Sequence, residues 1–104
     1  MEGKPVCFSP EEIERKLKGC SAWRLTQDGR SIEREYLMKN FSAAVDLIHQ
    51  ISFVAEALDH HPDLHLTAYR KLNIVLSTHA IGGISEKDFI LAAQLDALPK
   101  ILKL

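Results

Sequence analysis

The segment from Phe41 to Leu58 most limits what this chain can fold into, because its apolar residues recur with the 3.6-residue period of an α-helix. The residues of this stripe are Phe41, Ala44, Val45, Ile48, Ile51, Val54, Ala55 and Leu58. Asn40 or Ser42 can cap the helix, and Pro62 ends it, since a residue that precedes proline is pushed out of the α region. Phe53 falls opposite the stripe, so it is predicted either to pack on a second surface or to mark a subunit interface.

The residues before this helix predict a shorter helix followed by a β-hairpin. Ser9 begins a capping box with proline at the first helical position, and the helix is expected to stop near Gly19. Residues 22–26 and 31–38 alternate as strands do, and Asp28-Gly29 between them is a strong signal for a tight turn. The residues in phase on these strands are Trp23, Leu25, Ile32, Tyr36 and Met38, with Arg34 as an exception.

Two further strands and a last helix are predicted after Pro62. Residues 64–69 and 72–79 alternate as strands, and the turn at 69–71 lacks Gly or Asn, which leaves its type open. Gly82-Gly83 interrupts the pattern, and Ser85 can cap the final helix. The strand faces are predicted to group Leu64 with Leu66 and Ala68, and Leu72 with Ile74 and Leu76. The apolar residues that the last helix carries are Phe89, Ile90, Ala93 and Leu98.

The resulting element order is α-β-β-α-β-β-α. Strands that form hairpins, with helices between them, predict an α+β fold in which an antiparallel four-stranded sheet has its helices packed on one face. A chain of 104 residues is predicted to be one domain over residues 1–104. Its 46% apolar and 26% charged residues are ordinary globular composition, which excludes a disordered or collagen-like chain.

Charge and cysteine usage narrow the possible partners and the location. The formal net charge is −1 and no basic stripe is present, so nucleic acid is not an expected partner. No apolar run reaches the roughly 20 residues that span a bilayer, so no membrane partner is expected either. Cys7 and Cys20 form no C-x-x-C pair, and residues 1–5 lack the apolar region of a signal peptide. Reduced thiols in the cytoplasm are the favoured hypothesis, with a disulfide left open.

Histidines are the best candidates for chemistry, because imidazole exchanges a proton near neutral pH. Four of the five lie close together in the sequence: His60, His61, His65 and His79. His60 and His61 stand where the long helix ends and an extended segment begins, so they are predicted to point in different directions and to line two walls of one cleft. His79 precedes the Gly-Gly loop, where functional groups are often presented. His49 falls on the polar side of the helix and is predicted to be a surface residue.

A metal site is the first alternative. His61 and His65 have ligand-like spacing, but in an extended segment they would lie about 13 Å apart, whereas zinc needs both nitrogens within about 2.1 Å. If the fold brings His60, His61 and His79 together, a metal site stays an alternative. The favoured prediction is that the site holds no metal. Neither a nucleophile elbow nor a glycine-rich nucleotide loop is present in the sequence.

These residues, taken together, resemble the pterin-4a-carbinolamine dehydratase family over nearly the whole chain. The family pattern is an acidic or similar residue, three spacers, His-His-Pro, an aromatic residue, a His and then an Asp. The pattern is met at Glu56, His60, His61, Pro62, Tyr69, His79 and Asp88, and Trp23 stands in the early strand as it usually does in the family. Two residues depart from it: Arg70 replaces a frequent Asn, and Leu64 replaces a frequent aromatic.

The resemblance implies an enzyme of defined chemistry. Its substrate is a 4a-hydroxytetrahydropterin, the species left when an aromatic amino acid hydroxylase has used its pterin. Loss of water gives the quinonoid dihydropterin, which a reductase recycles to tetrahydrobiopterin. The reaction removes a proton from N5 and protonates the departing 4a-hydroxyl, which needs no metal or organic cofactor and suits a cluster of imidazoles.

The resemblance also suggests roles for individual residues. His61 and His79 are the hypothetical proton-transfer pair, with His60 holding or protonating the substrate edge, and which imidazole is acid and which is base stays open. Asp88 acts in the site or merely caps the last helix, and Trp23 is expected in the core rather than stacked on the substrate. The residues expected to orient the histidines or bind the pterin are Glu56, Asp59, Pro62, Ser77, Thr78 and Asp88.

A function of a different class is also implied by the resemblance. Relatives in animals act as dimerisation cofactors of a homeodomain transcription factor through a helical face, which would make a nuclear location possible. The same face otherwise joins two family dimers into a tetramer, so a homodimer or homotetramer is expected. Phe53 and the exposed side of the long helix are the candidates for this surface, and a non-catalytic pterin binder is a third hypothesis.

Overall fold

The computed structural model describes residues 7–20 and 22–104, so residues 1–5, considered above for a signal peptide, lie outside the described part. The elements are α1 (Pro10–Lys18), β1 (Arg24–Leu25), β2 (Ile32–Leu37), α2 (Phe41–Leu58), β3 (Asp63–Thr67), β4 (Lys71–Leu76) and α3 (Glu86–Asp96). A single 3₁₀ turn, His79–Ile81, precedes α3. The predicted order of elements is therefore confirmed.

The four strands form one antiparallel sheet in the order β1-β2-β4-β3. Ile32 lies opposite Leu76 and Tyr36 opposite Leu72, and all four side chains are buried on the face that the helices cover. Residues that alternate with them, such as Glu35 and Lys71, are exposed on the other face. This one-sided burial is the α+β arrangement that the alternation predicts.

Helix α2 packs on the sheet through a face that is rotated from the predicted stripe. Asn40 caps the helix, and its side-chain oxygen accepts a hydrogen bond from the Ala43 amide at 2.8 Å. The buried residues are Ala43, Ala44, Leu47, Ile51 and Ala55, whereas Phe41, Val45 and Leu58 of the predicted stripe are exposed. Ile48 and Val54 of the stripe are partly buried against the core, so the core face is shifted toward Ala43 and Leu47, and the larger apolar residues lie on its flank. Phe53 is exposed, as expected for a residue opposite the core.

Helix α3 buries only part of the predicted apolar face: Phe89 is buried and Leu98 packs against the core, as predicted. Ser85 caps it as predicted, but Ile90 and Ala93 are exposed. The buried residues are Asp88, Phe89, Leu91, Ala92 and Leu95. The apolar pattern does not predict the whole buried face, because Asp88 occupies a buried position of the helix although it is polar.

Asp96, at the end of α3, forms hydrogen bonds with side chains of the sheet region. These bonds explain why Arg34, a charged residue, shares the inward phase of β2 with apolar residues. The Asp96 carboxylate accepts hydrogen bonds from Trp23 Nε1 at 2.9 Å, from Arg34 Nη1 at 2.8 Å and from the Tyr36 hydroxyl. Trp23 is buried and is a core residue, as predicted, and Arg34 stacks over the Tyr36 ring at 4.2 Å. Leu25, which was predicted to share the inward phase of Trp23, is exposed on the two-residue strand β1.

The two hairpin turns differ in how well the sequence predicts them. Gly29 has φ +73°, so the predicted Asp28-Gly29 turn is confirmed. Between β3 and β4 the left-handed positions are Ala68 (φ +48°) and Tyr69 (φ +54°), and Ala68 therefore belongs to the turn rather than to the strand face with Leu64 and Leu66. Side chains disfavour this conformation, which is why the turn gives no signal in the sequence.

By length and composition alone, α2 could cross a membrane, with a mean hydropathy of 1.2 over its 18 residues. One such helix is weak evidence, because the core helix of a soluble protein passes the same test. Ala44, Leu47 and Ile51 belong to the core, and 28% of the 18-residue window is buried.

Candidate active site

The end of α2 separates the two adjacent histidines. Asp59 adopts the left-handed conformation (φ 52°) that ends the helix, and the His60 amide donates to the Ala55 carbonyl at 3.0 Å. The chain therefore folds back so that His60 is buried, whereas His61 is exposed. This divergence is the one predicted from their position at a helix terminus.

His60 belongs to a buried polar network that joins α2, the segment after β4 and the start of α3. Its Nε2 lies 2.7 Å from Asp88 Oδ1. The other carboxylate oxygen of Asp88 accepts from the Thr78 hydroxyl at 2.9 Å and from the Ser85 amide at 3.0 Å. The Ser85 and Thr78 hydroxyls are 2.7 Å apart. Asp88 is fully buried, so it is at once a helix-capping carboxylate and the partner of a site histidine.

His61 is paired with Glu56 on the surface. Nε2 of His61 and Oε2 of Glu56 are 2.5 Å apart, and the side chains are 57% and 75% exposed. An exposed pair contributes little to the free energy of folding. Its consequence is orientation, because a ring held through Nε2 keeps Nδ1 free for other contacts.

His79 begins the 3₁₀ turn that follows β4. Gly82 closes this turn in the left-handed conformation (φ +63°), and its amide donates to the His79 carbonyl at 3.1 Å. Thr78, which precedes His79, is anchored by its own amide to the Gly83 carbonyl at 2.8 Å. The His79 ring makes no side-chain hydrogen bond within the described ranges, and it is exposed. Both of its ring nitrogens are therefore open to a ligand.

The three histidines meet in one open cleft of about 330 Å³. It is lined by Asp59, His60, His61, Pro62, Asp63, Thr78, His79, Ala80 and Lys87. Two other predicted site residues do not line the cleft but contact histidines that do. Glu56 pairs with His61, and Asp88 pairs with His60. Ser77 is half-buried, and it is not among the residues that line the cleft.

Sequence reasoning missed Asp63 and Lys87 as parts of the cleft. Asp63 directly follows Pro62, and Lys87 directly precedes Asp88, so closeness to motif residues is the one signal that could have found them. His65 lies on β3 and does not line the cleft, so the His61-x-x-x-His65 spacing does not create a ligand pair. Within residues 7–20 and 22–104, no three His, Cys, Asp or Glu side chains form a cluster that could hold a metal ion.

The cleft can support proton transfer in two directions. One imidazole is fixed by a buried carboxylate, a second is oriented by an exposed carboxylate, and a third has no side-chain partner in the described chain. Such a set provides a donor and an acceptor around one small ligand, which is the requirement of general acid–base catalysis.

Comparison with known proteins finds similar sequences and similar folds. Residues 7–98 match the family described as pterin 4 alpha carbinolamine dehydratase. A protein of Paracoccus denitrificans, provisionally named a pterin-4-alpha-carbinolamine dehydratase, is 41% identical over 97 residues, which cover 93% of this chain and 89% of that protein.

Two solved structures are also similar. The transcriptional coactivator/pterin dehydratase from Brucella melitensis superposes with a TM-score of 0.83 at 29% identity, covering 88% of this chain and 97% of that one. A pterin dehydratase-like protein described as a RuBisCO assembly factor in the alpha-carboxysome has a TM-score of 0.61 at 17% identity, covering 73% and 87%. The second likeness concerns the fold alone.

Proposed function

The chain belongs to the pterin 4 alpha carbinolamine dehydratase family, and we propose that it dehydrates 4a-hydroxytetrahydropterin to quinonoid dihydropterin by histidine acid–base catalysis. The observation that carries this proposal is the convergence of His60, His61 and His79, from two separate segments, on one cleft. In the cell the reaction would serve the recycling of tetrahydrobiopterin, with a reductase consuming its product.

The reaction requires one proton to leave and one to arrive. The N5 proton is taken by a base, the C4a–O bond breaks, the 4a-hydroxyl leaves as water with the proton of an acid, and a C4a–N5 double bond forms. No electrons are exchanged with an outside partner, so two positioned imidazoles are sufficient for the step.

His61 and His79 are the proposed proton-transfer pair. Both are exposed in the cleft, and each has a ring nitrogen free for the substrate. Glu56 would orient His61, because its carboxylate contacts Nε2 of the imidazole. Which of the two removes the N5 proton is left to experiment.

His60 is proposed to hold the substrate rather than to relay protons. Its Nε2 is committed to the buried Asp88 carboxylate, so only Nδ1 can face a ligand. The same network fixes Thr78. Asp59 and Pro62 would complete the binding wall, and Ser77 would contribute at most through its neighbours, because it does not line the cleft.

The test is the dehydration rate of freshly generated 4a-hydroxytetrahydropterin, followed by its ultraviolet change above the spontaneous background. We expect His61→Ala and His79→Ala each to lose about 10²-fold or more of the acceleration, as is typical of a positioned proton-transfer group. His65→Ala is the matched control, because His65 is exposed on the adjacent β3 but lies outside the cleft.

Two results would contradict the proposal. One is a folded wild-type protein that does not exceed the spontaneous rate. The other is an equal loss in all three histidine variants, which would point to a general effect on the fold. His60→Ala is measured together with its unfolding curve, because His60 is buried and its removal leaves Asp88 without a partner.

A second candidate function is a protein-interaction role. The related Brucella protein is described as a transcriptional coactivator as well as a dehydratase. Here Phe53, which is 69% exposed, lies on the face of α2 that points away from the sheet, and Phe41 and Val45 are exposed on the flank of the helix. Self-association into a homodimer or homotetramer, or binding of a transcription factor, would cover this face. If that role is independent of catalysis, His61→Ala will remove dehydration and leave the interaction intact.

A further inference from the structure

The hydrogen bonds around Asp88 have one consistent direction. The Ser85 backbone amide can only donate, and it lies 3.0 Å from Asp88 Oδ2. The Thr78 hydroxyl lies 2.9 Å from the same oxygen and donates to it, since an ionised carboxylate has no hydrogen to give. The Ser85 hydroxyl accepts from the Lys87 amide at 3.2 Å, so its own hydrogen points to Thr78. Both donors are therefore fixed on Oδ2, which leaves Oδ1 for His60.

Asp88 is stabilised as an anion without a neighbouring cation. Oδ2 receives two hydrogen bonds, Oδ1 faces His60 Nε2 at 2.7 Å, and the first turn of α3 supplies a helix dipole that favours negative charge. His60 is only 9% exposed, and burial costs a charged imidazolium more free energy than a neutral ring. The network therefore favours the neutral ring. Its proton lies on Nε2, because a lone pair there would face the carboxylate.

Nδ1 of His60 is then a lone pair, and it makes no hydrogen bond within residues 7–20 and 22–104. In these ranges no buried side-chain nitrogen or oxygen lacks a hydrogen-bond partner. Nδ1, which has none, is therefore reached by water, and His60 borders the cleft that also holds His61 and His79. A neutral imidazole held in this way can accept a hydrogen bond through Nδ1 but cannot donate one.

We propose that Asp88 fixes His60 in the Nε2–H tautomer, so that Nδ1 binds a hydrogen-bond donor of the ligand, and that Thr78 is the positioning residue that orients Asp88. The inference rests on the proposed function for the identity of the ligand, whereas the tautomer does not depend on it. In that function His61 and His79 act at N5 and the 4a-hydroxyl. The ring donors that remain for His60 are N3–H, the 2-amino group and N8–H, and loss of the donor that it binds should be penalised.

The first test is ¹⁵N NMR of the ligand-free wild-type protein with labelled imidazole nitrogens near neutral pH. The chemical shifts distinguish a ring nitrogen that carries a proton from one that has a lone pair. The His60 signals are assigned by their absence from His60→Gln. We expect the proton on Nε2 and the lone pair on Nδ1. A proton on Nδ1, alone or together with one on Nε2, would overturn the proposal.

Asp88→Asn should reverse the tautomer. The amide oxygen has to take the Oδ2 position, because the Ser85 amide can only donate there, so the amide nitrogen faces His60. Nε2 then accepts, and the ring proton moves to Nδ1, which can no longer accept from a ligand. Asparagine in place of the aspartate of a catalytic triad acts in the same way. Glu86→Gln is the control, because Glu86 lies in the same helical turn but pairs with Lys16, and its spectrum should match the wild type.

The second test is equilibrium binding of 7,8-dihydropterin and of its 3-methyl, 2-dimethylamino and 8-methyl derivatives. One derivative should lose about fivefold more affinity for the wild type than for Asp88→Asn, as expected for one hydrogen bond. Comparison between the two proteins removes the steric effect of the methyl group. Thr78→Val should weaken this contrast, and Thr78→Ser, which keeps the hydroxyl, should restore it. Equal losses in both proteins for all three derivatives would overturn the assigned role of Nδ1.

The outcomes distinguish this inference from the proposed function. Dehydration by a wild-type protein in which Nδ1 of His60 carries a proton overturns the inference and leaves the enzyme. The expected tautomer and methylation contrast without dehydration support the inference and remove the catalytic proposal. Failure of every probe to bind overturns both.

Discussion

Asp88 combines a helix cap with the anchoring of His60, and it does both from a fully buried position. Burial of a carboxylate costs free energy unless its oxygens accept hydrogen bonds. Here His60, Thr78 and the Ser85 amide provide these bonds. The same hydrogen bonds fix His60 at the wall of the cleft. Stability and function are thus tied to one side chain, and a substitution there should affect both.

Asp88→Asn tests this connection. The amide keeps the size of the carboxylate but loses its charge and brings two donors to a site where three donors already point. We expect the free energy of unfolding to fall by about 2 kcal/mol, within the range for hydrogen bonds to charged groups. Dehydration activity should fall with it. Urea unfolding and the initial dehydration rate measure the two effects.

Glu86→Gln is the matched control for this substitution. Glu86 lies in the same first turn of α3 but pairs with Lys16 on the surface, so stability should change by less than about 0.5 kcal/mol. Equal unfolding curves for Asp88→Asn and the wild type would contradict the assigned role of the buried network.

At the scale of elements, the junction at Asp96 links α3 to β2 and should make stability depend on alkaline pH. Burial and the Asp96 carboxylate raise the pKa of the Tyr36 hydroxyl above its usual range. The folded state therefore keeps this proton at a pH where the unfolded chain has lost it. The contribution of Tyr36 is fully present below the ordinary tyrosine pKa of about 10 and is lost as pH rises above it.

Tyr36→Phe removes both the hydrogen bond and this pH dependence. At pH 7 we expect a loss of about 1 kcal/mol in the free energy of unfolding, the usual net worth of one hydrogen bond. Above pH 10 the difference between variant and wild type should shrink. Denaturant unfolding across this range measures it, with Tyr69→Phe as control because Tyr69 is exposed in a turn. A constant difference at all pH values would contradict the argument.

The β3–β4 turn is a second element whose stability can be improved. Ala68 has φ +48°, a conformation that costs a side-chain-bearing residue roughly 1–2 kcal/mol and glycine little. Ala68→Gly should raise the free energy of unfolding by about 0.5 kcal/mol, since the flexibility of glycine in the unfolded chain offsets part of the gain. Ala93→Gly, in the exposed interior of α3, should instead destabilise by about 1 kcal/mol. Thermal unfolding compares the two, and a lower melting temperature for Ala68→Gly would contradict the assigned strain.

These elements also mark what sequence patterns can and cannot predict. Caps and glycine turns, as at Ser9, Ser85 and Gly29, are local and were predicted correctly. The buried face of α3 was predicted only in part: Phe89 is buried, but Asp88, which pairs with His60 from 28 residues away, takes a buried position that no apolar pattern indicates. The motif indicated which histidines are involved, but their separation into buried and exposed members needs the fold.

At the scale of the whole molecule, the exposed apolar residues of α2 are the main feature that a single copy leaves unexplained. The buried residues of the helix are Ala43, Ala44, Leu47, Ile51 and Ala55, which leaves Phe53 exposed opposite the core and Phe41 and Val45 exposed on the flank. Exposed apolar patches commonly mark interaction sites, and a chain of 104 residues gains stability when a second copy covers such a patch. The histidine cleft does not include these residues, so assembly and chemistry should be separable.

Phe53→Ser tests that separation. If α2 joins copies of the chain, the variant should have a lower mass than the wild type in sedimentation equilibrium at the same concentration. Its dehydration rate per chain should stay within about twofold, because a surface change distant from the cleft alters the site little. Leu25→Ser is the control, since Leu25 is an exposed apolar residue on β1 rather than on α2. An unchanged mass in Phe53→Ser, or a parallel loss of mass and activity, would contradict independence of the two surfaces.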